Sequence, residues 1–238
     1  MIVLEPGHGR VGQGVWDPGV QAGSLVEADL AWELAQSTQD ELQRAGVRHK
    51  VLEEVRAGDG LLLRQRMDAC PPNGTLISLH FEKLPRPGYN GGRVYAGPHP
   101  DSIAIAERIA LAVESWGKIT STRYHSCTAH ANAVHPWLQR EHGPAVLISP
   151  FSLTGPDAII YARRLKALGP ILGSILAMWG IGRNPAIRCY QPVTAQRDVG
   201  RGPAAKPLSE MFRGRSESPQ KNDTARMIST VFQAESTE

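Results

Sequence analysis

The sequence predicts an α/β domain, a mostly parallel central sheet with helices on both faces, followed by an irregular C-terminal tail. Three observations predict it. Short β-prone apolar runs, Ile2–Leu4, Thr75–His80 and Pro144–Ser149, close at a turn, a histidine or a proline, as buried strands do. Longer segments with helical apolar spacing separate them, and parallel strands need crossovers of that kind. Beyond about residue 182 the apolar periodicity disappears and Pro, Gly, Ser and Arg dominate.

Taken in order, strand Ile2–Leu4 ends at the Pro6-Gly7 turn. A loop carrying Gly7, Gly9, Gly12 and Gly14 leads to a helix from about Leu25 to Ala45, with Leu30, Leu34 and Leu42 on its apolar stripe and Gly46 as its terminating cap. No Lys-Ser/Thr of a phosphate loop follows the glycines, and backbone freedom explains them. Val47–Leu52 is the next strand, and Leu61–Ala69 a short helix stopped by Pro71-Pro72. Strand Thr75–His80, the turn-rich Leu84–Gly92 and strand Arg93–Ala96 follow. Ile103, Ala106, Ile109, Ala110 and Val113 mark a helix from Asp101 to Trp116, entered through Pro100. Pro144–Ser149 is the last core strand. Asp157–Ile181 is helical in pattern, and Pro170, which lacks an N–H, predicts a kink or split there.

The 238 residues give one domain, residues 1–182, and an appendage, residues 183–238. Mean hydropathy of −0.27 and 41% hydrophobic residues describe an ordinary globular chain. From residue 182 onward 9 Lys and Arg face 6 Asp and Glu, so the chain's net charge of +3 resides in the tail. That modest charge, without basic-aromatic interleaving, argues against nucleic acid as a partner. The longest apolar stretch, around Ile171–Ile181, is about half the ~20 residues of a membrane span. Cys70, Cys127 and Cys189 are odd in number and widely spaced, which fits a reducing compartment rather than a disulfide framework.

The chemistry-bearing candidates are His8, Glu27 and His80. His8 follows the first strand and His80 closes the third, and open α/β sheets bind ligands beyond the carboxyl ends of their strands. Glu27 opens the first long helix. Two strand-end histidines and a helix-start glutamate can therefore converge on one sheet edge, and His₂Glu with an open fourth position is a catalytic zinc set. The bland alternatives are a solvated or satisfied histidine at each position and, for Glu27, a capping box with Ser24.

The stretch Ile2–Gly9 with its Pro6-Gly7-His8-Gly9 core, Asp17-Pro18-Gly19 followed by Glu27, the Ser78–His80 strand end and the Pro144–Ile148 strand resemble the zinc-dependent N-acetylmuramoyl-L-alanine amidases. The resemblance runs from residue 1 to about 180. It implies one Zn²⁺ held by His8, Glu27 and His80, with peptidoglycan as substrate, cut between the lactyl group of N-acetylmuramic acid and the first L-alanine of the stem peptide. Two positions depart from the family pattern. Ser149 stands where members carry a catalytic glutamate, and Glu82 stands where they carry an asparagine two residues after the second histidine. A hydroxyl accepts no proton near neutral pH. Glu82 would share His80's face on a continuing strand and is the expected substitute base; Glu141 falls at the opposite sheet edge.

Residue 2 already belongs to a strand, so no signal peptide is expected. A cell-wall hydrolase made in the cytoplasm must reach the wall by another route, as a phage lysin does. The histidines in Tyr124–His130, His135 and His142 lack zinc-site spacing, and the segment reads as a loop lining the cleft. Two other function classes fit the same residues: a weakened amidase fold that binds peptidoglycan without cutting it, and a zinc amidohydrolase or carboxypeptidase acting on small acyl amino acids.

Overall fold

The structure is a computed structural model that describes residues 1–57, 59–83, 88–131, 138–140 and 142–182. The tail, Cys189, Glu141 and His135 lie outside the described residues. Along the chain the strands are β1 (Ile2–Pro6), β2 (Gly9–Val11), β3 (Val15–Asp17), β4 (Gln21–Ala22), β5 (Leu25–Val26), β6 (His49–Val51), β7 (Thr75–Leu79), β8 (Gly92–Ala96), β9 (Cys127–His130) and β10 (Ala145–Ser149). The helices are α1 (Glu27–Arg44), α2 (Leu63–Asp68), α3 (Pro100–Thr120), α4 (Ala158–Arg163) and α5 (Leu165–Gly182).

Six strands form the central sheet in the order β6-β1-β7-β10-β8-β9. All neighbours pair in parallel except β10 with β8. The period-2 alternation of side chains gives each face its own core. Ile2, Leu4, Ile77, Leu79, Val94, Ala96, Val146 and Ile148 join the buried faces of α1, α3 and α5. Val3, Leu76, Ala145 and Leu147 pack on the other face with Leu52, Val55, Cys70 and Leu138. Helices thus cover both faces unequally, three long ones on one and short α2 towards the other.

Three local expectations need correction. Helix α5 runs unbroken through Pro170, and the break falls earlier, at Arg164, whose φ of −102° and ψ of 6° separate α4 from α5. Packing on α1 overrides the missing N–H: added methyls on Gly169 and Gly173 would lie 2.0 Å from Ser37 Oγ and 2.4 Å from Glu41 Cβ, so the helices meet at close range along these glycines. Second, the histidine-rich segment is not wholly a loop. Cys127–His130 is the edge strand β9, parallel to β8, with Thr128, Ala129 and His130 exposed and hence no apolar alternation to signal it. Third, Ser24 does not cap α1. The N-cap is Val26, which makes Glu27 the first helical residue, and the N–H groups of Glu27 and Ala28 donate to the carbonyls of Val20 and Pro18. The glutamate carboxylate is thereby released for other work.

Candidate active site

The C-terminal ends of β1 and β7 and the start of α1 bring His8, Glu27 and His80 together. One ligand-type atom from each lies within 4.8 Å of the others, and among the described residues no second group of this kind occurs. Glu27 Oε1 is 3.2 Å from His8 Nε2 and 3.0 Å from His80 Nδ1. The two imidazoles meet edge-on with centroids 5.1 Å apart. Backbone amides hold the carboxylate from behind: Phe81 N–H donates to Oε1 at 2.9 Å and Val20 N–H to Oε2 at 2.8 Å.

Each histidine has a carboxylate on its far side. His8 Nδ1 donates to Asp17 Oδ2 at 2.8 Å, which leaves Nε2 aimed at the cluster. Asp17 is itself fixed by the Gly19 N–H at 2.9 Å. His80 Nε2 lies 3.9 Å from Glu5 Oε2. Glu5 is buried, and it accepts from Arg66 Nη1 at 2.8 Å and from Ser78 Oγ at 2.5 Å. The buried Arg66 also donates to the carbonyls of Leu61 and Arg10, tying α2 to the strand β2 that follows His8.

Backbone shape does the fine positioning. His8 itself adopts φ of +63°, an uncommon left-handed conformation that turns its ring back over the sheet edge. Gly19, at φ +66°, leaves room that no other residue would: a Cβ there would sit 2.6 Å from His8 Cδ2 and 2.7 Å from Glu27 Oε2.

Electrostatically the cluster is a coupled set. Burial opposes charge on His8, but Glu27 and Asp17 outweigh it and push the imidazole up to about 9. Burial likewise opposes charge on Glu27, yet His8 and His80 hold its carboxyl well below the usual carboxylate range. An anionic glutamate between two imidazoles is ready for a cation.

Ser149 ends β10, and its Oγ accepts the Glu82 N–H at 2.9 Å. Glu82 does not continue β7. Its carboxylate accepts from Tyr95 OH at 3.2 Å, and Tyr95 lies on β8, on the far side of β10. Glu82 is thus tied to two strands, by its N–H to Ser149 at the end of β10 and by its carboxylate to Tyr95 of β8. Cys70 and Cys127 are buried, and burial raises both thiols, so neither is a poised nucleophile.

Residues 2–168 match the profile of a protein family described as N-acetylmuramoyl-L-alanine amidase. The chain belongs to that family. Similar solved structures include Cwp6 from Clostridium difficile, 17% identical with a TM-score of 0.58, covering 74% of this chain but 28% of that one. The N-acetylmuramoyl-L-alanine amidase from Clostridium difficile 630 is 17% identical with a TM-score of 0.59, over 77% of this chain and 97% of its own. The catalytic domain of the CD27L endolysin, which targets Clostridia difficile, is 16% identical with a TM-score of 0.56, over 73% and 96%. At such identities these likenesses establish the fold. Among curated protein sequences none matches. This amidase-family chain spans about a quarter of the length of Cwp6 and nearly all of the other two.

Of the predicted positions, His8, Glu27 and His80 come together, while Glu82 and Ser149 form a second pair joined by a hydrogen bond. Asp17 stands out in sequence only as part of a family-like stretch. Glu5 is a carboxylate ending an apolar run, a signal of a buried partner that the spacing alone does not interpret. Arg66, one of two arginines in a short amphiphilic helix, gives no sequence signal of its burial.

Proposed function

We propose that this chain is a zinc-dependent peptidoglycan amidase, hydrolysing the bond between the lactyl group of N-acetylmuramic acid and the first L-alanine of the stem peptide. The observation that supports it most is the convergence of two imidazoles on one buried, anionic glutamate at the sheet edge of an amidase-family domain. The donor set fits zinc: His₂Glu without thiolates is a catalytic combination, and His8 has the carboxylate behind its ring that metal-binding imidazoles usually have. His8 Nε2, Glu27 and His80 Nδ1 would hold the ion. When bound, zinc supplies Lewis-acid polarisation of the scissile carbonyl and acidifies the attacking water.

The rest falls to this chain's residues. Asp17 keeps the proton on His8 Nδ1, so that Nε2 is free to ligate. Glu5, locked by Arg66 and Ser78, limits the swing of the His80 ring. Glu82 is the proton acceptor: it takes a proton from the attacking water and returns it to the leaving amine of L-alanine. Its N–H donates to Ser149, the residue that by resemblance stands at the family's glutamate position and has no basicity to offer. We further propose a role in cell-wall lysis of the endolysin kind. Among the described residues no helix is long and apolar enough to cross a membrane.

Purified sacculi and a metal analysis test this together. Expected are about one zinc per chain and release of stem peptides with free L-alanine amino termini. Glu82→Gln should retain zinc and lower the rate about 10²–10⁴-fold. The serine at position 149 favours one rival, a weakened fold that binds without cutting; uncut sacculi that carry the protein down on sedimentation would establish it. Cleavage of small acyl amino acids alone would point to a different amidohydrolase.

A further inference from the structure

We propose that Arg93 anchors a carboxylate on the peptide side of the substrate; this subsite rests on the amidase reading and extends it along the sheet edge. Leu79 pairs with Ile148, Ser149 with Arg93, and Arg93 with Thr128. One residue beyond the last β7–β10 pair, His80 therefore stands in a row with Ser149, Arg93 and Thr128 across four neighbouring strands. Paired residues share a face, so the row runs from the metal-type cluster along one side of the sheet. With strands roughly 4.8 Å apart, the backbone of Arg93 lies about 10 Å from that of His80, and extended peptide advances about 3.3–3.6 Å per residue. A peptide held at its first amide by the cluster and laid along this row brings its second or third residue to Arg93.

The guanidinium is equipped for that ligand. Arg93 is one of several described arginines without an ion-paired carboxylate, and it is the one that stands in the row with His80 and Ser149. Its Nη1 donates to Tyr95 OH at 3.3 Å, which sets the plane of the fork and leaves its other donors for a bidentate partner. Tyr95 is braced in turn by His130, stacked on it with centroids 5.3 Å apart. Glu82 is the negative charge nearby, and the Tyr95 hydroxyl stands between it and Arg93. Peptidoglycan stems carry acidic residues next to the first L-alanine, which supplies a free carboxylate at the required distance.

The test is a calorimetric titration of the zinc-loaded full chain with L-alanyl-D-glutamate and with the same dipeptide amidated at both carboxyl groups. These product-side peptides need no turnover. Charge-assisted bidentate binding predicts that the parent prefers the acid roughly ten- to hundredfold. Arg93→Gln should bring that ratio near one, and Arg93→Lys should keep part of it, with circular dichroism confirming that both variants fold. A parent that does not discriminate, binding of neither peptide, or a ratio unchanged in Arg93→Gln overturns the subsite. The amidase reading fails separately: a protein that discriminates through Arg93 but releases nothing from sacculi overturns that reading alone.

Discussion

Glu82 and Ser149 are joined through the backbone, the Glu82 N–H donating to Ser149 Oγ at 2.9 Å. Ser149, proposed to stand at the family's glutamate position, thus fixes the residue proposed to act in that glutamate's stead. Two carboxylates in one space would repel, which gives a physical reason for a glutamate at 82 to accompany the absence of one at 149.

Exchange of the two positions follows from this. In the parent, Ser149→Glu should leave hydrolysis of sacculi unchanged or lower it, because it removes the acceptor for Glu82 N–H and adds a like charge. In the Glu82→Gln background it should recover at least tenfold of the roughly 10²–10⁴-fold loss, with Arg93 across the strand pair keeping the new carboxylate ionised. A double variant no faster than Glu82→Gln alone would separate the two positions.

Gly19→Ala should disable the site from outside the donor set. Its methyl would meet both His8 and Glu27, and φ of +66° is strained for any side chain. Zinc retention after dialysis against a weak chelator should drop at least tenfold, while the fold loses only about 1–3 kcal/mol. Full retention would mean that the Asp17–Val20 loop does not shape the cluster.

The buried Glu5–Arg66 pair makes a prediction about stability. Arg66→Met strands an uncompensated carboxylate beneath His80 and should cost about 3–5 kcal/mol in urea unfolding, whereas Glu5→Leu with Arg66→Met should recover much of that loss. Recovery will be incomplete, since Arg66 also serves the Leu61 and Arg10 carbonyls. A double variant as unstable as the single one would show that the carbonyl contacts, not the ion pair, dominate.

The sheet strands that lead to His8, His80 and Ser149 were legible because buried strands leave apolar runs with abrupt ends. The long helices were legible from stripes such as Leu30, Leu34 and Leu42. What stayed hidden depends on tertiary context. Exposed β9 has no alternation to read, and the small hairpins β2–β3 and β4–β5 are too short to show a period. The Ser24–Glu27 spacing suits a cap equally well, and only the backbone of Pro18 and Val20, filling the helix end, turns Glu27 inward. Arg66 and Arg93 look alike in sequence; burial against Glu5 makes one structural, and the row shared with His80 and Ser149 gives the other its proposed task.

Deleting residues 185–238 should leave a cooperatively folding domain. Helix α5 ends at Gly182 and the family match ends at residue 168. The remaining composition offers too little apolar surface to offset an ordering cost of roughly 1–2 kcal/mol per residue. Thermal unfolding of the truncated protein checks this, and loss of a cooperative transition would show that the tail packs on the core.

The coupled cluster predicts opposite pH responses for the metal-free and zinc-loaded protein. In the metal-free fold His8 titrates near 9 instead of 6.5: burial lowers it, and Glu27 and Asp17 more than reverse that. A raised value contributes stability that is complete below 6.5 and disappears as pH climbs through 9. Glu27, held below the carboxylate range, stays ionised throughout that window. Metal-free stability should therefore fall between pH 6.5 and 9, by about 1–2 kcal/mol after allowing for solvent screening of the part-exposed histidine. Zinc needs the same imidazole neutral, so its binding displaces the proton and its apparent affinity should rise across that window. Urea unfolding at several pH values, with zinc and after chelation, measures both. Parallel curves, or a metal-free protein indifferent to pH, would mean that the proton and the metal do not compete for His8.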